Sequence, residues 1–271
     1  MHPSHGDLQQ ACDGSKMTAF MTVHPTALVD EGAKLGAGCV VQAHAIIKRG
    51  VILGDGVVVH SFAVIGDEPQ DLHFDPATES GVRIGARTVI REHVTVHRST
   101  RPGTFTEIGD ECFLMVGCHV GHDGRVGHRV AIANAALLAG HVHVGDYAFL
   151  GGGAVIHQFC RIGESAMIGG GARISRDVPP FTMATERDGL IGLNLVGIRR
   201  RGFTSGAVRE LRRAFHLVYD EPGNIRENAR RALEGNAFRE ASARQFLGDF
   251  AEGTRGFVRP RRRGGSEDAG D

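Results

Sequence analysis

The stretch from Gly117 to Ile174 reads GCHVGHDGRVGHRVAIANAALLAGHVHVGDYAFLGGGAVIHQFCRIGESAMIGGGARI. An aliphatic residue stands at every sixth position of it: Val120, Val126, Ile132, Leu138, Val144, Leu150, Ile156, Ile162, Ile168 and Ile174. A helix repeats its apolar face every 3.6 residues and a lone strand every 2.0, so neither accounts for the pattern. A parallel β-helix does: three six-residue faces close one triangular coil, and each coil buries its inward rungs against the next. The same period runs backwards through Leu114 and Ile108, through a short bridge of Val96, Ile90 and Ile84, and through a first run from Ile65 to Val23. Twenty-three rungs make between seven and eight coils. At a strand spacing of ~4.8 Å the prism is roughly 35 Å long.

The rest of the composition follows from the ladder. Glycine follows the rung at positions such as 36, 54, 109, 127, 145 and 163, where the spacing predicts a tight turn; this explains 39 glycines without disorder. Four of the five cysteines (Cys39, Cys112, Cys118 and Cys160) fall four residues after a rung, in a column of small inward residues. They read as core, with no CxxC pair, and fit a reducing compartment. Lys plus Arg and Asp plus Glu both total 31, which argues against a general nucleic-acid binder. No secretory or transmembrane segment is visible.

Two breaks, 67–83 and 98–107, mark where loops leave the prism, and such loops are places for binding residues. Pro179 and Pro180 are expected to end the solenoid, because proline cannot donate to a ladder. Beyond them the period becomes helical at Val208, Leu211, Phe215 and Val218, again around Ile225 to Leu233, and again from Phe238 to Phe250. The expected organisation is therefore a disordered leader over 1–20, the prism over 21–180, a helical domain over 181–256 and a charged disordered tail over 257–271.

One coil is 18 residues, so His122, Gly140 and Gln158 share a column two residues past their rungs, with His141 one residue to the side. That geometry permits acyl transfer. A neutral imidazole at His122 can take a proton from an attacking hydroxyl, and Asp123 can orient it. Gly140 offers an N–H without a side chain, as an oxyanion hole requires. No Ser or Cys adjoins the base, which favours direct attack by the acceptor. Two other readings stay open at this point. His97, His119, His122 and His141 contain enough imidazoles for a tetrahedral zinc site with one open position, as in carbonic-anhydrase-like β-helix enzymes. A non-catalytic trimeric scaffold would make the column incidental.

The segments GDEPQDL at 66–72, VGHD at 120–123, LAGH at 138–141, VIHQFC at 155–160, DVPP at 177–180 and RRRGF at 199–203 resemble the acyl carrier protein-dependent UDP-N-acetylglucosamine O-acyltransferases, which open lipid A biosynthesis. The similarity covers roughly residues 21–258. It implies a left-handed parallel β-helix of hexapeptide repeats with a C-terminal α-helical domain, in a cytoplasmic homotrimer. It implies transfer of an R-3-hydroxyacyl chain from acyl carrier protein to the 3-hydroxyl of UDP-N-acetylglucosamine, with no cofactor and no metal. By the same likeness His122, Asp123 and Gly140 are the catalytic set. Gln70, Asp71, His97, His119 and His141 line the substrate cleft, while His157, Gln158, Asn194, Arg200 and Arg201 belong to substrate and nucleotide binding. Gly170 takes the position that sets acyl-chain length, and its small size implies a long chain. His73 stands where relatives commonly carry Lys, and the leader and the Arg-rich tail have no counterpart. The related N-acyltransferase of the pathway needs an N-terminal uridine-binding domain, whereas this ladder starts at Val23.

Overall fold

The structure is a computed structural model that describes residues 21–253 and 255–260; the expected leader over 1–20 and most of the expected tail lie outside them. Its strands are short, mostly two residues each, and arranged in three parallel sheets. The first begins with Thr22–Val23, the second with Leu28–Val29 and the third with Lys34–Leu35, and each strand pairs with the one a full coil away: Val23 with Val41, Val120 with Leu138, Val144 with Ile162. The coil is left-handed, against the near-universal right-handed crossover between parallel strands.

From Cys39 onward the rungs and the small residues four places after them form one continuous core, against which Val29 and Leu35 of the first coil are partly buried while Val23 is exposed. Ile47, Ile65, Ile90, Leu114, Ile132, Leu150 and Ile156 are fully buried, and so are Ala45, Ala136, Ala154 and Ala172 beside them. Cys39, Cys112, Cys118 and Cys160 are buried free thiols. Burial pushes Cys112 up to about 11 and Cys118 and Cys160 up to about 12, so they are inert at neutral pH.

The glycines after the rungs do a different job from the one expected. The turn itself falls two residues later, at the third position past the rung, where the backbone enters the left-handed region: Asp123 has φ 57°, His141 59° and Phe159 65°. The glycine directly after the rung is required by close approach between coils instead. A Cβ on Gly36 would lie 2.6 Å from the backbone of Gly54 and Asp55, and one on Gly109 would lie 2.6 Å from the carbonyl of Gly127.

The prolines also do not end the sheet. Val178 still bridges Ile162, and after Pro180 the strand Thr182–Thr185 joins the first sheet, with Met167 opposite Met183. The chain then reverses into an antiparallel strand, Gly189–Leu193, which pairs with Arg259–Pro260. The segment 181–193 is thus sheet rather than helical domain, and residues 257–260 join the fold rather than a tail, with Phe257 and Val258 buried and the exposed Arg259 and Pro260 paired to Gly189 and Leu190. Proline lacks only its own N–H, and both prolines sit in the corner where that donor is not needed.

Among the described residues four helices follow: α1 (Leu195–Arg200), α2 (Ser205–Tyr219), α3 (Ile225–Glu234) and α4 (Ala241–Asp249). Thr204 caps α2 by accepting from the Ala207 N–H at 3.0 Å, and Asn224 caps α3. Their apolar faces meet in a second core of Leu211, Ala214, Val218, Phe246 and Phe250, and Phe215 and Tyr219 of α2 pack against both cores. No helix among the described residues is long and apolar enough to cross a membrane.

Candidate active site

Both ladder breaks leave the prism at the same edge, where second-sheet strands turn toward the third. The loops occupy 68–80, after Val64–Asp67, and 98–104, after Thr95–His97. They are shorter than the breaks in the six-residue period because Gly81–Ile84 and Phe105–Ile108 pair with each other over four residues. His122, Gly140 and Gln158 stand on this edge in successive coils, as the count of 18 requires. The His141 N–H donates to the His122 carbonyl at 2.9 Å and the Phe159 N–H to the Gly140 carbonyl at 3.2 Å.

The imidazole of His122 is oriented from one side by Asp123, with Nδ1 2.8 Å from Oδ2. Asp123 is itself held on several sides. Ser99 Oγ and Thr100 Oγ1 donate to its oxygens, the Thr100 N–H adds a longer contact, and its own N–H donates to Thr106 Oγ1. Burial pushes the Asp123 carboxyl up, but the hydrogen bonds from His122, Ser99 and Thr100 outweigh it and hold the group well below the usual carboxylate range. An ionised carboxylate only accepts, so the His122 proton sits on Nδ1 and the lone pair on Nε2. That lone pair is what a general base needs.

Gly140 makes room for it. A Cβ on Gly140 would fall 2.5 Å from both Nε2 and Cε1 of His122. The Gly140 N–H has no partner among the described residues, and is free to meet a developing negative charge.

Around this pair the histidines divide into two groups. His141 stacks on Phe159 with ring centroids 4.6 Å apart, lies edge-on to His122 at 5.1 Å, and brings Nε2 to 3.7 Å from Asp123 Oδ2. Burial lowers its pKa, with the Asp123 charge opposing and His122 adding to the effect. His97 and His119 form a second edge-on pair at 4.8 Å, with His119 Nδ1 2.7 Å from Thr95 Oγ1. Burial, then the nearby His97 and His122, push His119 down to about 4, and burial lowers His97 as well. Both are neutral near pH 7.

The four-imidazole zinc set is not assembled. Among the described residues one group has the spacing to hold a cation, His122, Asp123 and His141, with ligand atoms within 4.8 Å of one another. Asp123 Oδ2 there already accepts from His122 and Thr100. A cation would have to displace the contacts that orient the ring, so the donor set suits a proton-transfer pair better than a metal.

In the first loop Gln70, Asp71 and Leu72 are exposed, Leu72 fully so. The His73 N–H donates to Asp71 Oδ1 at 2.9 Å and its ring nitrogen lies 3.5 Å from the same oxygen. That backbone bond first, with smaller help from the His73 and His122 charges, lowers the Asp71 pKa. The loop is pinned by Arg98, whose guanidinium donates to the carbonyls of Thr78 and Pro76 and lies over the Phe74 ring at 4.9 Å.

His157 and Gln158 lie exposed on the His122 edge, one coil beyond Gly140. Asn194 and Arg201 do not join them. Asn194 is the N-cap of α1, buried, accepting from the Gly197 N–H and donating to the Ser165 carbonyl at 3.0 Å. Arg201 reaches Glu164 at 2.6 Å and lies 3.8 Å above the Tyr147 ring. Both contacts fix α1 to a different edge, where the third sheet turns to the first, and leave Arg200 exposed beside it. Gly170 lies on the remaining edge, among Gly151, Gly152, Gly153, Gly169 and Gly171; a Cβ there would meet only the Gly152 carbonyl, at 3.4 Å.

Ser99, Thr100, Thr106 and Arg98 are the site residues that counting missed. Ser99 stands 24 residues before Asp123, not 18, because the second loop inserts one extra hexad. The signal was available as that surplus of six.

Comparison with known proteins agrees with this architecture. A family profile described as UDP N-acetylglucosamine O-acyltransferase, domain 2, matches residues 177–258, and one described as bacterial transferase hexapeptide matches 23–67 and 141–176. The acyl-[acyl-carrier-protein]–UDP-N-acetylglucosamine O-acyltransferase of Alkalilimnicola ehrlichii is 42% identical over 57% of this chain and 60% of its own length. That of Pseudomonas savastanoi pv. phaseolicola is 37% identical over 72% of this chain and 76% of its own. The chain thus spans about three fifths of the first of these relatives. The solved UDP-N-acetylglucosamine O-acyltransferase of Moraxella catarrhalis superposes with a TM-score of 0.83 at 33% identity, over 88% of this chain and all of that one.

Proposed function

Given that the chain belongs to the UDP-N-acetylglucosamine O-acyltransferase family, we propose that it transfers an R-3-hydroxyacyl group from acyl carrier protein to the 3-hydroxyl of UDP-N-acetylglucosamine. The observation that carries this is the His122–Asp123 pair, with Nδ1 at 2.8 Å from the carboxylate and Nε2 facing the bare Cα of Gly140. The sugar hydroxyl attacks the thioester carbonyl while His122 Nε2 takes its proton. The carbonyl oxygen becomes an oxyanion that the Gly140 N–H stabilises. Collapse forms the ester and expels the carrier thiolate, which recovers the proton from His122. Asp123 stays ionised throughout and stabilises the imidazolium.

Asp71, beside the base, meets the sugar and the acyl hydroxyl, with Gln70, His97, His119 and His141 around it. The neutral state of His119 and His97 suits an apolar acyl chain better than two extra charges would. His157, Gln158 and Arg200 take the nucleotide, Arg being fitted to a diphosphate. Asn194 and Arg201 support that site by fixing α1. Gly170 leaves its edge of the prism open to a long acyl chain.

The working unit is a homotrimer in the cytoplasm. What supports it is that α1, which carries Arg200, is fastened to a different prism edge from His122; one ligand can meet both only where two subunits adjoin, and closed rings are the common solution for such contacts.

Incubation with UDP-N-acetylglucosamine and a panel of acyl carrier protein thioesters, with mass analysis of products, reads substrate class and chain length together. The variant His122→Ala is expected to lose on the order of 10²–10⁴ in rate with its oligomer intact. Transfer near the unmodified rate would sink the assignment.

A further inference from the structure

Arg255 belongs to none of the sites described above, yet its Nη2 lies 2.9 Å from Nδ1 of His157, 98 residues away in sequence. The carbonyl oxygen of Gln158 lies 3.2 Å from the same nitrogen. These two neighbours demand opposite tautomers. A guanidinium has only N–H groups to give, so it requires a bare lone pair on Nδ1, whereas a carbonyl requires Nδ1–H. The guanidinium contact is the shorter one and carries the charge, which makes it the stronger.

We propose that Arg255 is a positioning residue that locks His157 as its Nε2–H tautomer, turning an N–H donor outward toward an oxygen acceptor of the bound nucleotide. This rests on the reading of His157 as a nucleotide-binding residue. The chain around Arg255 is anchored for the task. The Asp177 N–H donates to the Gly256 carbonyl at 2.8 Å, the Val258 N–H to the Asp177 carbonyl at 3.0 Å, and Arg226 holds the Gly253 carbonyl at 2.7 Å. Phe257 and Val258 are buried next to it. Arg255 is exposed as a residue, while its guanidinium also hydrogen-bonds the Cys160 thiol and lies near the buried Asp177 carboxyl, two further contacts that hold it in place. The C-terminal strap thereby sets the hydrogen-bonding polarity of a histidine on the prism.

The lock is lost in Arg255→Ala, because the Gln158 carbonyl then has no competitor and draws the proton to Nδ1. Nitrogen NMR of the full-length protein labelled in histidine reads this directly: His157 is expected as Nε2–H in the unmodified protein and to shift toward Nδ1–H in the variant. The KM for UDP-N-acetylglucosamine rises about tenfold with kcat little changed, the loss of one hydrogen bond to a charged or strongly polar ligand group. Arg255→Lys, which still donates, restores both readouts. An unchanged His157 tautomer in Arg255→Ala overturns the lock. A changed tautomer with unaltered KM leaves the lock standing and overturns the nucleotide role of His157 on which the proposal rests.

Discussion

At the residue scale the site depends on a hydrogen atom where any other residue has carbon. Gly140 has ordinary backbone torsions, so Ala there strains nothing locally. Its Cβ, however, would fall 2.5 Å from two ring atoms of His122. The ring cannot swing away without breaking its bond to Asp123, which Ser99 and Thr100 hold in place. Gly140→Ala is therefore expected to cut kcat by roughly 10²-fold or more, in the range of a displaced catalytic group, while the melting temperature barely moves; a parallel loss of both would point to misfolding instead. His122, Gly140 and Gln158 were legible as a column because 18 residues make one coil. The carboxylate partner was legible because it is adjacent in sequence. Ser99 and Thr100 were not, since the extra hexad between Val96 and Ile108 puts them 24 and 23 residues from Asp123. The Arg255 contact was illegible for a simpler reason: it joins two elements by tertiary docking, which no period reports.

At the scale of the element, the hexad sets two separate demands on glycine. One is conformational and falls at the corner, where non-glycine residues such as Asp123 and His141 accept positive φ at about 1–2 kcal/mol each. The other is steric and falls right after the rung, where one coil touches the next. Reading both as turning explains why the sequence located these glycines and misassigned their role. Gly109→Ala separates them, because its φ is unexceptional while its Cβ would lie 2.6 Å from the Gly127 carbonyl carbon and oxygen. Backbone cannot rotate aside as a side chain can. The coils must part locally, at a cost of about 1–3 kcal/mol, seen as a melting temperature lower by roughly 2–12 °C. A variant as stable as the parent would remove the steric account. The same distinction explains the prolines: a rule about missing donors forecast an end to the sheet, but the ladder asks no N–H of those corner positions and continues into Thr182–Thr185.

At the scale of the whole molecule, two buried groups pull stability in opposite directions with pH. Asp249 of α4 meets Arg161 of the prism beside Asp177, and burial pushes its carboxyl up to about 6, the Arg161 charge opposing. A raised folded pKa favours the protonated state, so this contribution is complete below about 4 and is lost as pH rises through 6. Burial pushes His119 down to about 4. Its contribution is complete above about 6.5 and is lost as pH falls toward 4. The two nearly offset each other between pH 4 and 6, so Asp249→Asn uncovers the histidine slope and makes melting temperature fall more steeply on acidification; His119→Gln uncovers the reverse. Equal slopes in both variants would refute the pairing. The assembly itself is testable by mixing. His122 and Arg200 lie on different prism edges, so in a shared site each comes from a different subunit. His122→Ala and Arg200→Ala are each expected to be nearly inactive alone. Co-folded at equal amounts, a site is intact when one subunit brings His122 and its neighbour brings Arg200, a chance of half times half, so activity returns to about a quarter of the unmodified level. Were each site complete within one chain, every subunit in the mixture would carry one lesion in its own site, and mixing would restore nothing.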